Sequence, residues 1–255
     1  MGVTFWQFGY LAIAAAEFAL FVYVLRLLKR GRKVKIGDAI ILAPLLLALV
    51  YDNFMLGIGD WVGEGELHRL LSGPRYITHA LMTPLLLVFA ALCADRMKVP
   101  GFHNNRDKLT VWAGIAFFII WYGLWNDLVH MELGWDTTGT AGGRYAHHGH
   151  VGPPIPVMVT GLGLILIGAA IQRYARSPWV VLSSINMLVF IMFIENGVII
   201  NVGEFLLLAG LVATGTEAVR RYEVDKAARR DAALAGRRER DPAAVTDDQR
   251  QTTSA

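Results

Sequence analysis

Cysteine is almost absent. Cys93 stands alone among 255 residues, so no intrachain disulfide can form. Common enzyme signatures are missing too. There is no phosphate-binding glycine loop, no nucleophile elbow and no HExxH pair, which argues against P-loop nucleotide chemistry, serine acyl transfer and zincin-type hydrolysis. Charged residues are only 18% of the chain, and they fall between apolar blocks rather than inside them. The basic pI of about 9.1 owes much to arginines and lysines in loops and tail. It is a topology signal and gives no separate evidence for a nucleic-acid partner.

Apolar residues make up 55% of the chain and mean hydropathy is +0.43. One domain of this size has no interior large enough for so much apolar material. The apolar residues come in blocks of about twenty, the length that crosses roughly 30 Å of hydrocarbon. The pattern predicts an all-α polytopic membrane protein with seven helices: 5–28, 36–56, 75–94, 109–131, 154–174, 179–199 and 204–222. The last two form one long apolar stretch, divided at Asn201-Val202-Gly203 because a single helix would already have left the bilayer there. The first block is too long for a cleaved leader, and Lys29, Arg30, Arg32 and Lys33 follow it rather than precede it. It reads as a retained helix.

Loop charge alternates along the chain. Residues 29–35 carry five basic side chains, 60–66 carry three acids, 96–108 are mostly basic, and the tail after Arg220 is rich in arginine. Basic loops stay in the cytoplasm. The expected topology therefore has the amino terminus outside and the carboxyl terminus inside, in what we expect is a bacterial plasma membrane. Residues 1–222 form the membrane domain. Residues 223–255 form a charged cytoplasmic tail, helical at first and then largely disordered. The Gly-, Thr-, His- and Pro-rich stretch 137–156 is the longest external loop and a candidate lid.

Three outward-running helices each place an acid beside an amide: Asp52-Asn53 after Tyr51, Asn126-Asp127 after Trp125, and Glu195-Asn196. Counted from the cytoplasmic helix starts, these acids lie roughly 24–27 Å along the axis at about 1.5 Å per residue. They share one depth near the outer edge of the hydrocarbon. His79 and Glu204 can join this layer from inward-running helices, His130 shares a face with Asp127, and Glu17 lies deeper. A charge there costs at least about 2–3 kcal/mol, so such side chains usually face an interior or a wet cavity. The alternative is interfacial, since an acid at a helix end can simply reach water. Nearby aromatics include Trp121, Trp125 and Phe193, and aromatic faces attract cations.

The run Arg75-Tyr76-Ile77-Thr78-His79-Ala80-Leu81-Met82-Thr83-Pro84-Leu85-Leu86-Leu87 resembles the third helix of bacteriorhodopsin-like proteins. Those pumps keep a proton-accepting aspartate at the position of Thr78, and their Schiff base needs a lysine in the seventh helix. None of the seven predicted helices contains a lysine, so retinal photochemistry is set aside. No cytoplasmic acid cluster of the aspartate-rich prenyltransferase kind is present. His147-His148-Gly149-His150 is a weak metal motif without a carboxylate partner, and no metal site is assigned.

Seven short-looped helices, a length near 250 residues and isolated carboxyls in an apolar, aromatic setting resemble the small integral-membrane terpene cyclases of fungal meroterpenoid and bacterial indole-terpenoid pathways. The resemblance is architectural and covers about residues 5–222. It places one acid on the second helix, matched by Asp52, and another late in the chain, matched by Glu195 or Glu204. The family's tryptophan-glutamate pattern on the second helix is replaced here by Tyr51-Asp52-Asn53. The resemblance implies cofactor-independent chemistry on a membrane-dissolved isoprenoid or other lipid: a neutral carboxylic acid protonates an alkene or epoxide, the cation cyclises, and a second carboxylate takes the final proton. Asp52 is the expected acid, with Glu195 and Asp127 as the other catalytic carboxyls. Tyr51, Asn53, His79, Trp121, Trp125, Asn126, His130, Phe193, Asn196 and Glu204 are the expected substrate contacts. The competing readings are a lipid-binding or assembly factor without catalysis, and a proton or cation transporter. The nearly apolar inner halves of the second, fourth and sixth helices argue against a through-path.

Overall fold

The computed structural model describes residues 5–30, 39–138, 142–148 and 155–240. Its helices are α1 (Phe5–Arg30), α2 (Ala39–Val62), α3 (Glu66–Met82), α4 (Leu85–Arg96), α5 (Arg106–Leu124), α6 (Ile155–Ala175), α7 (Trp179–Phe193) and α8 (Gly197–Arg240). A π-helical turn, Trp125–Val129, extends α5. An antiparallel hairpin of β1 (Leu133–Asp136) and β2 (Arg144–His147) follows it, with Leu133 opposite His147.

This is an all-α membrane protein. Among the described residues, six helical stretches are long and apolar enough to cross a bilayer: Phe5–Leu28, Ile40–Val62, Glu66–Arg96, Arg106–Leu124, Ile155–Ala175 and Gly197–Gly236. α7, with 15 residues, is shorter. At about 1.5 Å per residue it reaches only some 22 Å, less than the hydrocarbon thickness. Large apolar side chains such as Phe117, Phe118, Leu166 and Met192 stand exposed around the bundle, as hydrocarbon solvent permits and water does not. Inside, Leu46, Leu87, Phe89, Leu164, Ile167, Ile171 and Leu211 form the buried core, drawn from α2, α4, α6 and α8. α6 and α7 pack closely at Gly168, where any Cβ would press on the backbone nitrogen of Val181.

Several boundaries differ from the sequence reading, and those around the site matter most. The predicted third helix begins earlier, at Glu66, and is broken at Thr83-Pro84 into α3 and α4. Pro84 brings no N–H and crowds the preceding turn, so the bonds around it tighten: Leu86 N–H donates to Thr83 O at 3.1 Å and Leu87 N–H to Pro84 O at 3.1 Å. The turn expected at Asn201-Val202-Gly203 lies instead at 194–196. There the Asn196 side chain accepts from Val198 N–H at 3.0 Å and caps α8. Glu204 therefore sits two turns inside α8 rather than opening it. α8 also passes through residue 222 without a break and continues to Arg240.

Candidate functional site

Tyr51, Asp52 and Asn53 are successive on α2 and so point in three directions, about 100° apart. Tyr51 donates its hydroxyl to Leu71 O on α3 at 2.5 Å. Asp52 faces α3, where its Oδ1 pairs with Arg75 Nε and its Oδ2 lies 3.6 Å from His79 Nε2. Arg75 and His79 are four residues apart on α3, hence on one face. Asn53 turns toward α1 and α8. Its amide donates to Glu17 Oε2 at 3.0 Å, and its oxygen accepts from Asn201 at 2.7 Å. Glu17 and Asn53 are fully buried. These contacts tie α1, α2, α3 and α8 together at one level.

A cavity of about 80 Å³ opens beside this layer. His79, Thr83, Thr160, Ser184 and Glu204 are its polar lining. Leu45, Leu49, Leu86, Leu164, Met187 and Leu208 supply much of the apolar wall. The proline break is what brings His79, Thr83 and Leu86 to the same wall from two helices. His79 keeps 34% of its side chain accessible. Glu204 Oε2 is buried and has no hydrogen-bond partner. The volume is well under the 300–1,000 Å³ or so of typical small-molecule sites. A long ligand would have to displace side chains.

The hairpin closes the end of the bundle that holds the polar layer. Gly143 N–H donates to Asp60, Tyr145 OH accepts from Gly65 N–H at 3.1 Å, and Tyr76 OH bridges the strand by donating to Tyr145 O and accepting from His147 N–H. His68, Trp135 and Tyr145 interlock edge to face. Gly59 permits this contact, because a Cβ there would collide with Gly143 O. The hairpin occupies part of the stretch expected to form a lid; residues 139–141 and 149–154 lie outside the described residues.

The expected meeting of three acids is not what the structure displays. Asp52 is buried but engaged by Arg75 and His79, and it does not line the cavity. Glu195 is exposed in the turn between α7 and α8, since that turn falls seven residues earlier than predicted. The side chain of Asp127 lies outside the described residues. Trp121, Trp125 and Phe193 are 59%, 55% and 75% exposed and face outward. His130 is exposed and packs edge to face on Trp125. Asn126 is buried in the π-helical turn, and Asn196 serves as a cap. Of the expected substrate contacts, only His79 and Glu204 reach the cavity, and its lining contains no Phe, Tyr or Trp.

Arg75, Asn201, Thr160 and Ser184 are not among the site residues that the sequence points to. Arg75 carried a usable signal, an arginine four residues before a histidine on an apolar helix. The pairing of Asn201 with Asn53 spans 148 residues and has no local signature. No protein-family model, curated protein or solved structure matches this chain.

Proposed function

We propose that this chain is a membrane-embedded, cofactor-independent enzyme of the intramolecular lyase or isomerase type, acting on a linear isoprenoid dissolved in the bilayer. The observation behind this reading is the juxtaposition of Glu204 and His79 on one apolar cavity, with Asp52 within 3.6 Å of His79. Glu204 has an oxygen without a partner and is placed to deliver a proton to an alkene or epoxide. The cation so formed closes a ring. His79, whose Nε2 lies 3.6 Å from Asp52 Oδ2, removes a proton from carbon. The substrate gains one proton and loses one, so the product is its isomer; the proton left on His79 returns to Glu204 across the cavity before the next turnover. On this proposal the protein is a terpene cyclase whose acid is Glu204 rather than Asp52. An aliphatic lining offers no aromatic face to a long-lived cation, which favours few ring closures between proton delivery and removal.

A second reading, a lipid-binding or assembly factor, is favoured by the closed Asp52–Arg75 pair and by the small cavity. Incubating the purified protein in membranes with linear isoprenoids and their epoxides separates the two. The enzyme yields products of unchanged mass and altered retention by mass spectrometry, and the binding factor yields none.

The same reading includes seven crossings, with α7 as the short one, an external amino terminus and a cytoplasmic carboxyl terminus in a bacterial plasma membrane. The alternation of basic and acidic loops supports it.

A further inference from the structure

Helical serines and threonines in an apolar bundle commonly turn their hydroxyl back onto a carbonyl of the preceding turn. Thr78, Thr110, Ser183, Thr214 and Thr216 all do so, donating to Pro74 O, Arg106 O, Trp179 O, Gly210 O and Val212 O at 2.7–2.9 Å. Thr160 and Ser184 do not. They are 2% and 1% exposed, and their Oγ atoms have no partner. Both line the cavity, as does the unpartnered Glu204 Oε2. Ser72 on α3 carries a similar hydroxyl outside that lining.

The two hydroxyls sit at different depths. Gly168 on α6 packs against Val181 on α7, and Gly161 meets Leu188, so Thr160 stands about level with Val189, five residues beyond Ser184. At about 1.5 Å per residue the hydroxyls are roughly 7–8 Å apart along the bundle. The cavity is a narrow groove between them, with Thr160, His79 and Glu204 at one end and Ser184 at the other. Its flank between α6 and α7 is formed by Val157, Gly161, Leu188 and Ile191, none of them fully buried. A Cβ on Gly161 would meet only Leu188 Cδ1, at 3.9 Å, so the space beside it is unfilled.

We infer that this groove takes a single-chain lipid bearing two neutral oxygen functions about 7–8 Å apart, entering sideways between α6 and α7. The proposal names the ligand class of the site described above and rests on that reading's cavity, but it requires no turnover. A hydroxyl both donates and accepts, so Thr160 and Ser184 suit alcohol, ether, epoxide or carbonyl oxygens alike. An anionic head group would meet the carboxyl of Glu204. A pure hydrocarbon would leave both hydroxyls unpaired.

The test uses the full chain in phospholipid nanodiscs and a long-chain alcohol bearing a photoreactive diazirine. Three competitors of equal length are compared: a diol with its oxygens about 7–8 Å apart, the mono-alcohol and the hydrocarbon. Label should map to residues 157–164 and 184–191. The diol should compete better than the mono-alcohol, and the mono-alcohol better than the hydrocarbon, by roughly fivefold at each step. Ser184→Ala and Thr160→Val should each erase one step while labelling persists. Gly161→Phe should suppress labelling without changing the elution profile. Equal competition by all three chains, meaning hydroxyls satisfied by water only, overturns the inference. So does labelling spread over the lipid-facing surface and indifferent to Gly161→Phe. Labelling and ranking as expected with no conversion of any isoprenoid leave the inference standing and remove the catalytic reading.

Discussion

Arg75 and Asp52 form an ion pair closed off from solvent, with side chains 9% and 8% exposed. A pair of this kind is costly to break one side at a time, because the survivor is left buried and uncompensated, at about 3–5 kcal/mol. Asp52→Asn should therefore lower stability by that order, measured as unfolding in detergent, rather than leave a folded and merely inactive protein. Arg75→Gln should cost a similar amount. The double variant should lose distinctly less than the sum of the two. Wild-type stability for Asp52→Asn would show that the pair contributes little.

The amide chain Glu17–Asn53–Asn201 predicts a smaller effect. Asn201→Ala leaves Asn53 Oδ1 without its 2.7 Å donor in a buried site. An unsatisfied buried acceptor costs about 1–3 kcal/mol. The loss should appear as reduced unfolding free energy, and Asn201→Gln should not restore it, because the longer side chain misplaces the amide.

The hairpin carries a pH dependence that can be signed. Asp136 accepts from the Thr138 hydroxyl at 2.6 Å and from its backbone N–H at 2.7 Å, and these bonds hold its carboxyl below the ordinary 3.8. A carboxyl depressed in the folded state contributes stability above its unfolded value and loses it as pH falls through the folded one. Hydrogen exchange at Thr138 N–H should thus show no loss of protection attributable to this group from neutral pH down to about that ordinary value, and a loss of protection below it. Asp136→Asn should flatten that acid response.

Topology follows from single cysteines. Cys93 is buried, so background labelling is low. Cysteines at 63 and 140 should react with an impermeant reagent from outside, and those at 32, 103 and 240 only after the membrane is opened. Both termini on one side would contradict seven crossings.

How much was legible beforehand varied with the range of the interaction. Helix positions and the membrane class were readable, because a bilayer imposes a twenty-residue apolar period on local sequence. Asp52, Asn53 and His79 stand out as polar groups within apolar helices, since an ionisable or amide group in hydrocarbon is rare; Glu204 stands out too, but two turns inside its helix rather than at the opening expected for it. Partners were not readable. Asn201 looked like a turn because its bond to Asn53 is made across the bundle. Asp52 looked like a free acid because nothing local shows that Arg75 reaches it. The Trp121 and Trp125 side chains looked like cavity walls, yet aromatic residues suit a lipid-facing girdle equally well, and that is where they stand. Glu195 was displaced by a few residues of uncertainty in where one helix stops.

The central claim is that Glu204 acts on a ligand held in the groove. It is tested most directly by product formation from linear isoprenoid epoxides with purified protein in nanodiscs, comparing wild type with Glu204→Gln. Glutamine keeps the shape and cannot donate an acidic proton. The account predicts isomeric product from the wild type and a loss of about 10²- to 10⁴-fold in Glu204→Gln, with unfolding and photolabelling by the long-chain alcohol unchanged. Product formation by Glu204→Gln at the wild-type rate, or none from the wild type under conditions where the groove is labelled, would contradict it.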